Sequence, residues 1–316
     1  MNDVSRSELR PQPGDLRVRK RGGLWGAARV AHAPHFYTRF GLATPAFSGP
    51  VLVDPQPRRF GYTGGMTATA RKSRRVLVVG ATGRLGVAIA ESLADRGDEV
   101  VLTARDPNKL EHMSASLARE ATGSRPAPFV CADLTHRDAV ERIVEGLRAA
   151  LPVSADGTRG SIDDIVLACG PFPRTPFDEL RREDLERTIT VHCVAPLLLV
   201  HALAGDLAKA RGAVVALGDA GTTRPFEHHV AYLTAKGAIK TGLRALAVEL
   251  APDVRVNIVE LGIVADPEAD ADPLRQHRLA TRSQLGRFGT PAEVVHVVTA
   301  LLDSTWATGE TWGIGR

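Results

Sequence analysis

From Arg74 onward, short apolar runs alternate with stretches of helical period; before Arg74 no such pattern is sustained. Val76–Val79 reads as a buried strand, and Val87–Arg96 as a helix stopped by Gly97. Further strands are predicted at Val100–Thr103, Phe129–Ala132, Ile165–Ala168, Ala213–Leu217, Val254–Val259 and Thr311–Ile314. Between them the period predicts helices over Pro107–Glu120, Asp138–Ala150, Arg182–Thr190, Ala195–Ala210, Val230–Leu250 and Pro291–Leu302. The first of these has Pro at its first turn, where the missing N–H costs nothing. Strands that are apolar on both faces and alternate with helices make a parallel sheet covered on both sides. The expectation is an α/β fold, a doubly wound Rossmann-like sheet forming a single domain over residues 66–316. Asp156–Gly160 reads as a loop, and no internal repeat is visible.

Residues 1–65 differ in kind. They hold ten basic and four acidic residues, are rich in Pro, Gly and Arg, and carry breakers such as Pro11-Gln-Pro13-Gly14. They read as a disordered leader, or as sequence upstream of a start at Met66; a basic nucleic-acid arm or a transit peptide are the alternatives. The whole chain has 40 Lys+Arg against 36 Asp+Glu, so the basic excess belongs to this leader. The remaining domain offers no argument for nucleic acid as a partner. Its longest apolar stretches, such as Val194–Val200, are too short to span a bilayer, and no secretory signal is evident. Cys131, Cys169 and Cys193 have no paired spacing, which argues against disulfides and against a metal site. A soluble, cytoplasmic protein is expected.

Two constellations carry chemistry. The first strand runs into Gly80-Ala-Thr-Gly83-Arg84-Leu85-Gly86 and then a helix. Glycines there let the backbone turn sharply and approach a pyrophosphate at the positive end of the helix. The second strand ends at Arg105, with no acid to grip a ribose 2′-hydroxyl. Arg105 can bind a 2′-phosphate instead, which favours NADP(H); the bland alternative is a solvated surface cation. The second constellation is Tyr232-Leu-Thr-Ala-Lys236, whose spacing puts phenol and ammonium on one helix face. A phenol ionises near ~10, so the neighbouring cation is expected to lower it for proton transfer. A shift of about two to three units corresponds to roughly 3–4 kcal/mol.

On these motifs the chain from about Arg74 to its end resembles the short-chain dehydrogenase/reductase family, and within it the pteridine reductases. The resemblance implies an NADPH-dependent oxidoreductase acting on a small-molecule carbonyl or imine, with Tyr232 and Lys236 catalytic. It places Gly80, Arg84, Leu85, Gly86, Arg105, Asp133, Leu134 and Gly262 at the cofactor. Asp133 and Leu134 lie in Cys131-Ala-Asp-Leu, similar to the segment that contacts adenine. Phe172 falls where pteridine reductases stack a Phe on the pterin ring, and Asp219 where the wider family has its catalytic Ser. The resemblance further implies homodimers or homotetramers built on the helices Ala195–Ala210 and Val230–Leu250.

Departures from the family pattern are equally specific. Leu167-Ala-Cys-Gly170 replaces an Asn-Asn-Ala-Gly segment, His192 replaces the catalytic Asn, and Leu261-Gly262 replaces Pro-Gly. His192 fits either a proton relay, given a reference pKa of ~6.5, or a packed helix histidine. An ionised Asp219 beside Tyr232 would raise the phenol pKa and oppose Lys236. Three functions stay open: a pteridine- or dihydrofolate-type reductase, a carbonyl reductase of the 3-ketoacyl type, and a non-catalytic NADP(H)-binding sensor.

Overall fold

The structure is a computed structural model and describes residues 73–118, 125–153, 157, 160–265 and 272–315. The leader expected over 1–65 lies outside the described residues, as does most of the loop Asp156–Gly160.

The strands are β1 (Arg75–Val79), β2 (Glu99–Ala104), β3 (Phe129–Cys131), β4 (Asp164–Leu167), β5 (Ala213–Asp219), β6 (Arg255–Leu261) and β7 (Thr311–Ile314). They form one seven-stranded sheet in the order β3-β2-β1-β4-β5-β6-β7. Every adjacent pair is parallel. The helices are α1 (Arg84–Asp95), α2 (Pro107–Ser116), α3 (Ala139–Ala150), α4 (Arg182–Ile189), α5 (Ala195–Ala210), α6 (Val230–Glu249), α7 (Pro273–Ala280) and α8 (Pro291–Asp303).

The sheet has two apolar faces because its central strands carry consecutive apolar residues, such as Val76–Val79, that point alternately to either side. Val76 and Val78 of β1 point to one face, with Ile89 and Leu93 of α1, Leu110 of α2 and Val298 of α8. Leu77 and Val79 point to the other, with Ile143 of α3, Leu199 of α5 and Ile239 of α6. The chain runs outward from β1 to β3 and then restarts on the other side of β1 with β4. The carboxyl ends of β1 and β4 therefore flank the crevice where doubly wound sheets bind ligands.

Four features differ from expectation. Helix α7 was not foreseen: none of its residues is buried, so it leaves no apolar period to read, although Asp272 caps it by accepting from Leu274 N. The helices expected over Arg182–Thr190 and Ala195–Ala210 are one continuous run, joined by a π-helical turn at Thr190–Val194. That joined run is long and apolar enough to cross a membrane, with mean hydropathy 1.7, but half of its most apolar window is buried, as in a core helix. The helix expected over Pro107–Glu120 stops at Ser116, whose hydroxyl turns back to Met113 O. Finally, β5 reaches Asp219 and β6 reaches Leu261, the two being register partners, so Asp219 rides on the sheet rather than on a loose loop.

Candidate active site

A cleft of about 560 Å³ opens at the carboxyl ends of β1, β2 and β4. Gly80 begins the turn after β1 at φ +83°, and a Cβ there would run into the Ala168–Cys169 backbone. Gly83 then leads into α1, which starts with no side-chain cap and no acid in its first turn. Uncapped N–H groups at the positive end of a helix suit an anion. Gly86 lies against the Gly80 carbonyl, so only glycine lets the helix sit that close to the turn. Thr103 O holds the turn by accepting from Gly80 N (2.8 Å) and Ala81 N (3.1 Å).

Arg105 and Lys109 line the same cleft and are exposed. Asp133 faces them. Burial pushes its carboxyl up, but hydrogen bonds from Thr135 and the charges of His136 and Arg105 outweigh that and hold it below the usual range. Leu134 lines the cleft from the buried core. Leu85 packs on the opposite core, and Arg84 donates to Val264 O at 3.1 Å, tying the first turn of α1 to the segment after β6. Gly262 directly follows β6. It lies outside this cleft, in a neighbouring cavity of about 550 Å³, and its missing side chain admits the Gly315 backbone. Its role in the fold is to let the chain beyond β7 pass close by.

The second constellation joins α6 to β5 and to the turn that follows β5. Tyr232, one turn into α6, is 7% exposed, and its Oη donates to Asp219 Oδ2 at 2.7 Å. Asp219 is oriented by Gly221 N, which donates to Oδ1 at 2.7 Å. Lys236 is buried and donates through Nζ to Leu217 O at 2.8 Å, with Nζ 5.8 Å from the centre of the Tyr232 ring. The expected depression of the phenol pKa is reversed. Burial and the Asp219 carboxylate, which both repels a phenolate and accepts the phenol proton, hold Tyr232 well above its ordinary value. Burial pushes Lys236 down, opposed by the charges of Cys169 and Asp219. At neutral pH the phenol is a proton holder, and its proton points at a carboxylate.

Phe172 is 58% exposed and stands edge-on to Tyr232, with ring centres 4.7 Å apart. It stacks on His229 at 4.3 Å and tilts against Phe226 at 5.9 Å. His229 and Phe226 went unread in the sequence, since neither lies in a periodic element or a recognised spacing. The loops that carry these rings are laced together where Thr175 N donates to His228 O at 2.6 Å. His192, in the π-helical turn, meets Tyr232 edge-on at 5.2 Å between ring centres. Burial and the Lys236 charge lower its pKa to about 4, so it is neutral near pH 7. Cys169 lines the cleft with its thiol pushed up by burial, which argues against a nucleophile. Among the described residues no group of His, Cys, Asp and Glu could hold a metal ion.

The family model described as enoyl-(acyl carrier protein) reductase matches residues 80–314. Human L-xylulose reductase is 32% identical over 235 residues, covering 72% of this chain and 87% of that protein. Dihydromonapterin reductase of Enterobacter sp. (strain 638) is 27% identical over 244 residues, covering 76% of this chain and 95% of that protein. The NADPH-bound structure of a short chain oxidoreductase from Pseudomonas aeruginosa PAO1, described as containing an atypical catalytic center, matches with a TM-score of 0.67 at 25% identity. It covers 76% of this chain and 95% of that one.

Proposed function

The chain belongs to the short-chain dehydrogenase/reductase family of oxidoreductases, and from that premise we propose that it is an NADPH-dependent reductase of a small, flat imine or carbonyl compound of the pterin or dihydrofolate type. The observation that carries the substrate class is the Tyr232–Asp219 hydrogen bond beneath the exposed ring of Phe172.

The residues present fit the dinucleotide. The Gly80–Gly86 turn leaves room for a pyrophosphate against uncapped helix N–H groups, and Arg105 with Lys109 supplies positive charge where a 2′-phosphate would lie. Asp133 is held ionised and can accept from an adenine amino group. When bound, NADPH supplies the hydride.

The protein has to supply the proton, because a C=O or C=N that gains hydride is left with negative charge on oxygen or nitrogen. Tyr232 holds a proton at Oη but shares it with Asp219, so a substrate atom must compete with a carboxylate for it. A simple ketone without hydroxyl groups, such as diacetyl, offers only acceptors there. A reduced pterin also offers ring N–H donors that the Asp219 carboxylate can accept, which would hold the ring where Tyr232 can protonate it. Lys236 keeps positive charge beside the phenol and opposes the effect of Asp219. The rings of Phe172 and His192 stand edge-on against Tyr232, which is buried.

A second reading has its own support. The chain is more similar to L-xylulose reductase than to dihydromonapterin reductase, which favours an open-chain ketone. NADPH oxidation by the full chain against dihydrobiopterin, dihydrofolate, L-xylulose and a 3-ketoacyl ester separates the two. Turnover confined to the open-chain compounds overturns the pterin reading. Val194 just before α5, Leu198 on α5 and Val248 on α6 are exposed apolar residues, which supports homodimers or homotetramers through these helices.

A further inference from the structure

The His192 ring is 3% exposed and touches the site on three sides. Its Nε2–H donates to Pro171 O at 2.8 Å. Its edge rests on the Tyr232 ring. It also fills the space that Gly170 leaves: at φ +109°, a Cβ on that residue would collide with Cε1, Nδ1 and Nε2 of the imidazole. The remaining nitrogen, Nδ1, is buried beside Gly170 and has no hydrogen-bond partner. The Tyr232 phenol is engaged with Asp219 and the Lys236 ammonium with Leu217 O, and neither bond leads to His192.

We propose that His192 is a positioning residue, which pins the Gly170–Pro171–Phe172 turn against Tyr232 and so makes the pocket selective for flat rings over open-chain carbonyl compounds. The proposal rests on the reductase reading above. Phe172 has little packing of its own; it touches the rings of Tyr232, His229 and Phe226 and is otherwise open to solvent. Its position is set by the peptide before it, whose carbonyl His192 holds. The far end of the same loop is held by the Thr175–His228 bond and the bridge from Thr175 to His229. Pinned at both ends, the loop presents one ring face without further ordering, and binding to a preordered surface loses less entropy. A flat substrate gains from that face, whereas a small diketone needs only Tyr232 and its neighbours. The widened π turn matters here, because it places residue 192 between the Tyr232 ring and the loop.

The test compares full-chain His192→Phe, which keeps a ring but cannot donate, with His192→Gln, whose side-chain N–H can reach Pro171 O. Dihydrobiopterin serves as the flat probe and diacetyl as the open-chain probe, with kcat and KM read separately. The expected result is a five- to tenfold rise in the dihydrobiopterin KM relative to that of diacetyl in the Phe variant. The kcat ratio of the two probes should be preserved, and the Gln variant should restore the KM ratio. An equal fall in kcat on both probes without rescue by Gln makes His192 a proton relay and overturns the proposal; so does an unchanged KM ratio. Should His192→Phe fail to fold, His192→Leu, which is smaller and likewise cannot donate, is read by the same KM criterion. If the parent protein reduces neither probe, the reductase reading fails separately. Calorimetric binding of dihydrobiopterin to the parent and variants then decides the positioning role, and no binding, or equal affinities, sinks it.

Discussion

Replacing Asp219 by Ser removes two of the three influences that hold the Tyr232 phenol above its ordinary pKa, leaving burial. The bond removed is a charge-assisted one at 2.7 Å. Hydrogen bonds to charged groups contribute about 1.5–3 kcal/mol, which corresponds to roughly one to two pH units. The phenol should therefore ionise about one to two units lower in Asp219→Ser. Tyr232 is the only tyrosine among the described residues and one of three in the chain, so phenolate absorbance against pH can follow it by difference between parent and variant. Kinetically, a phenol freed from the carboxylate is a better acid for an alkoxide. Ketone reduction should be equal or up to about tenfold faster, while pterin reduction should fall about 10²-fold, as when a substrate is misplaced against its proton donor. Asp219→Asn separates charge from shape, since its amide oxygen can still accept from Gly221 N or the phenol. It should reproduce the absorbance shift without loosening the turn at Gly221. An unshifted phenol titration in both variants would refute the electrostatic argument, and equal loss of ketone and pterin activity would refute the division of labour between Asp219 and Tyr232.

Other expectations follow from the same geometry. Tyr232→Phe should abolish reduction of both substrate types while sparing NADPH binding by fluorescence titration; unchanged activity would remove Tyr232 as the proton donor, and NADPH binding without turnover in the parent would leave an NADP(H)-binding sensor as the better account. Arg105→Ala should raise the NADPH KM about tenfold, as loss of a charged phosphate contact would, and leave the NADH KM nearly unchanged; equal weakening of both would remove the 2′-phosphate assignment. Asp164, fully buried, accepts from Ala213 N and is paired with Arg74. Asp164→Ala should cost about 3–5 kcal/mol in urea unfolding, because it leaves a partly buried cation unpaired. His192 titrates at about 4 in the folded protein against 6.5 when free, so below pH 6.5 the unfolded chain binds more protons. Stability should fall as pH drops from 6.5 to 4, by on the order of 3 kcal/mol, and that slope should be shallower in His192→Gln.

The alternation of buried strands and helices is written in local pattern. A run of consecutive apolar residues in a strand has to be covered on both faces, and its alternation with helices makes that cover a doubly wound parallel sheet. The Gly80–Gly86 turn and the Tyr232–Lys236 pair were legible for the same reason, since each lies within one turn or one helix and its chemistry follows from spacing. Helix α7 was not legible, because a helix that buries nothing carries no apolar period. The state of the Tyr232 proton lay beyond spacing as well. Sequence distance puts Lys236 one helical turn from the phenol, but it cannot say that the ammonium turns to Leu217 O while Asp219, delivered by a different strand, takes the phenol proton. Likewise the aromatic face over Tyr232 joins Phe172, Phe226, His229 and His192 from separate segments, and Gly262 meets the Gly315 backbone only once β7 is in place. Burial and the meeting of distant side chains set pKa values and pocket shape, and both arise only when the sheet brings the ends of its strands together.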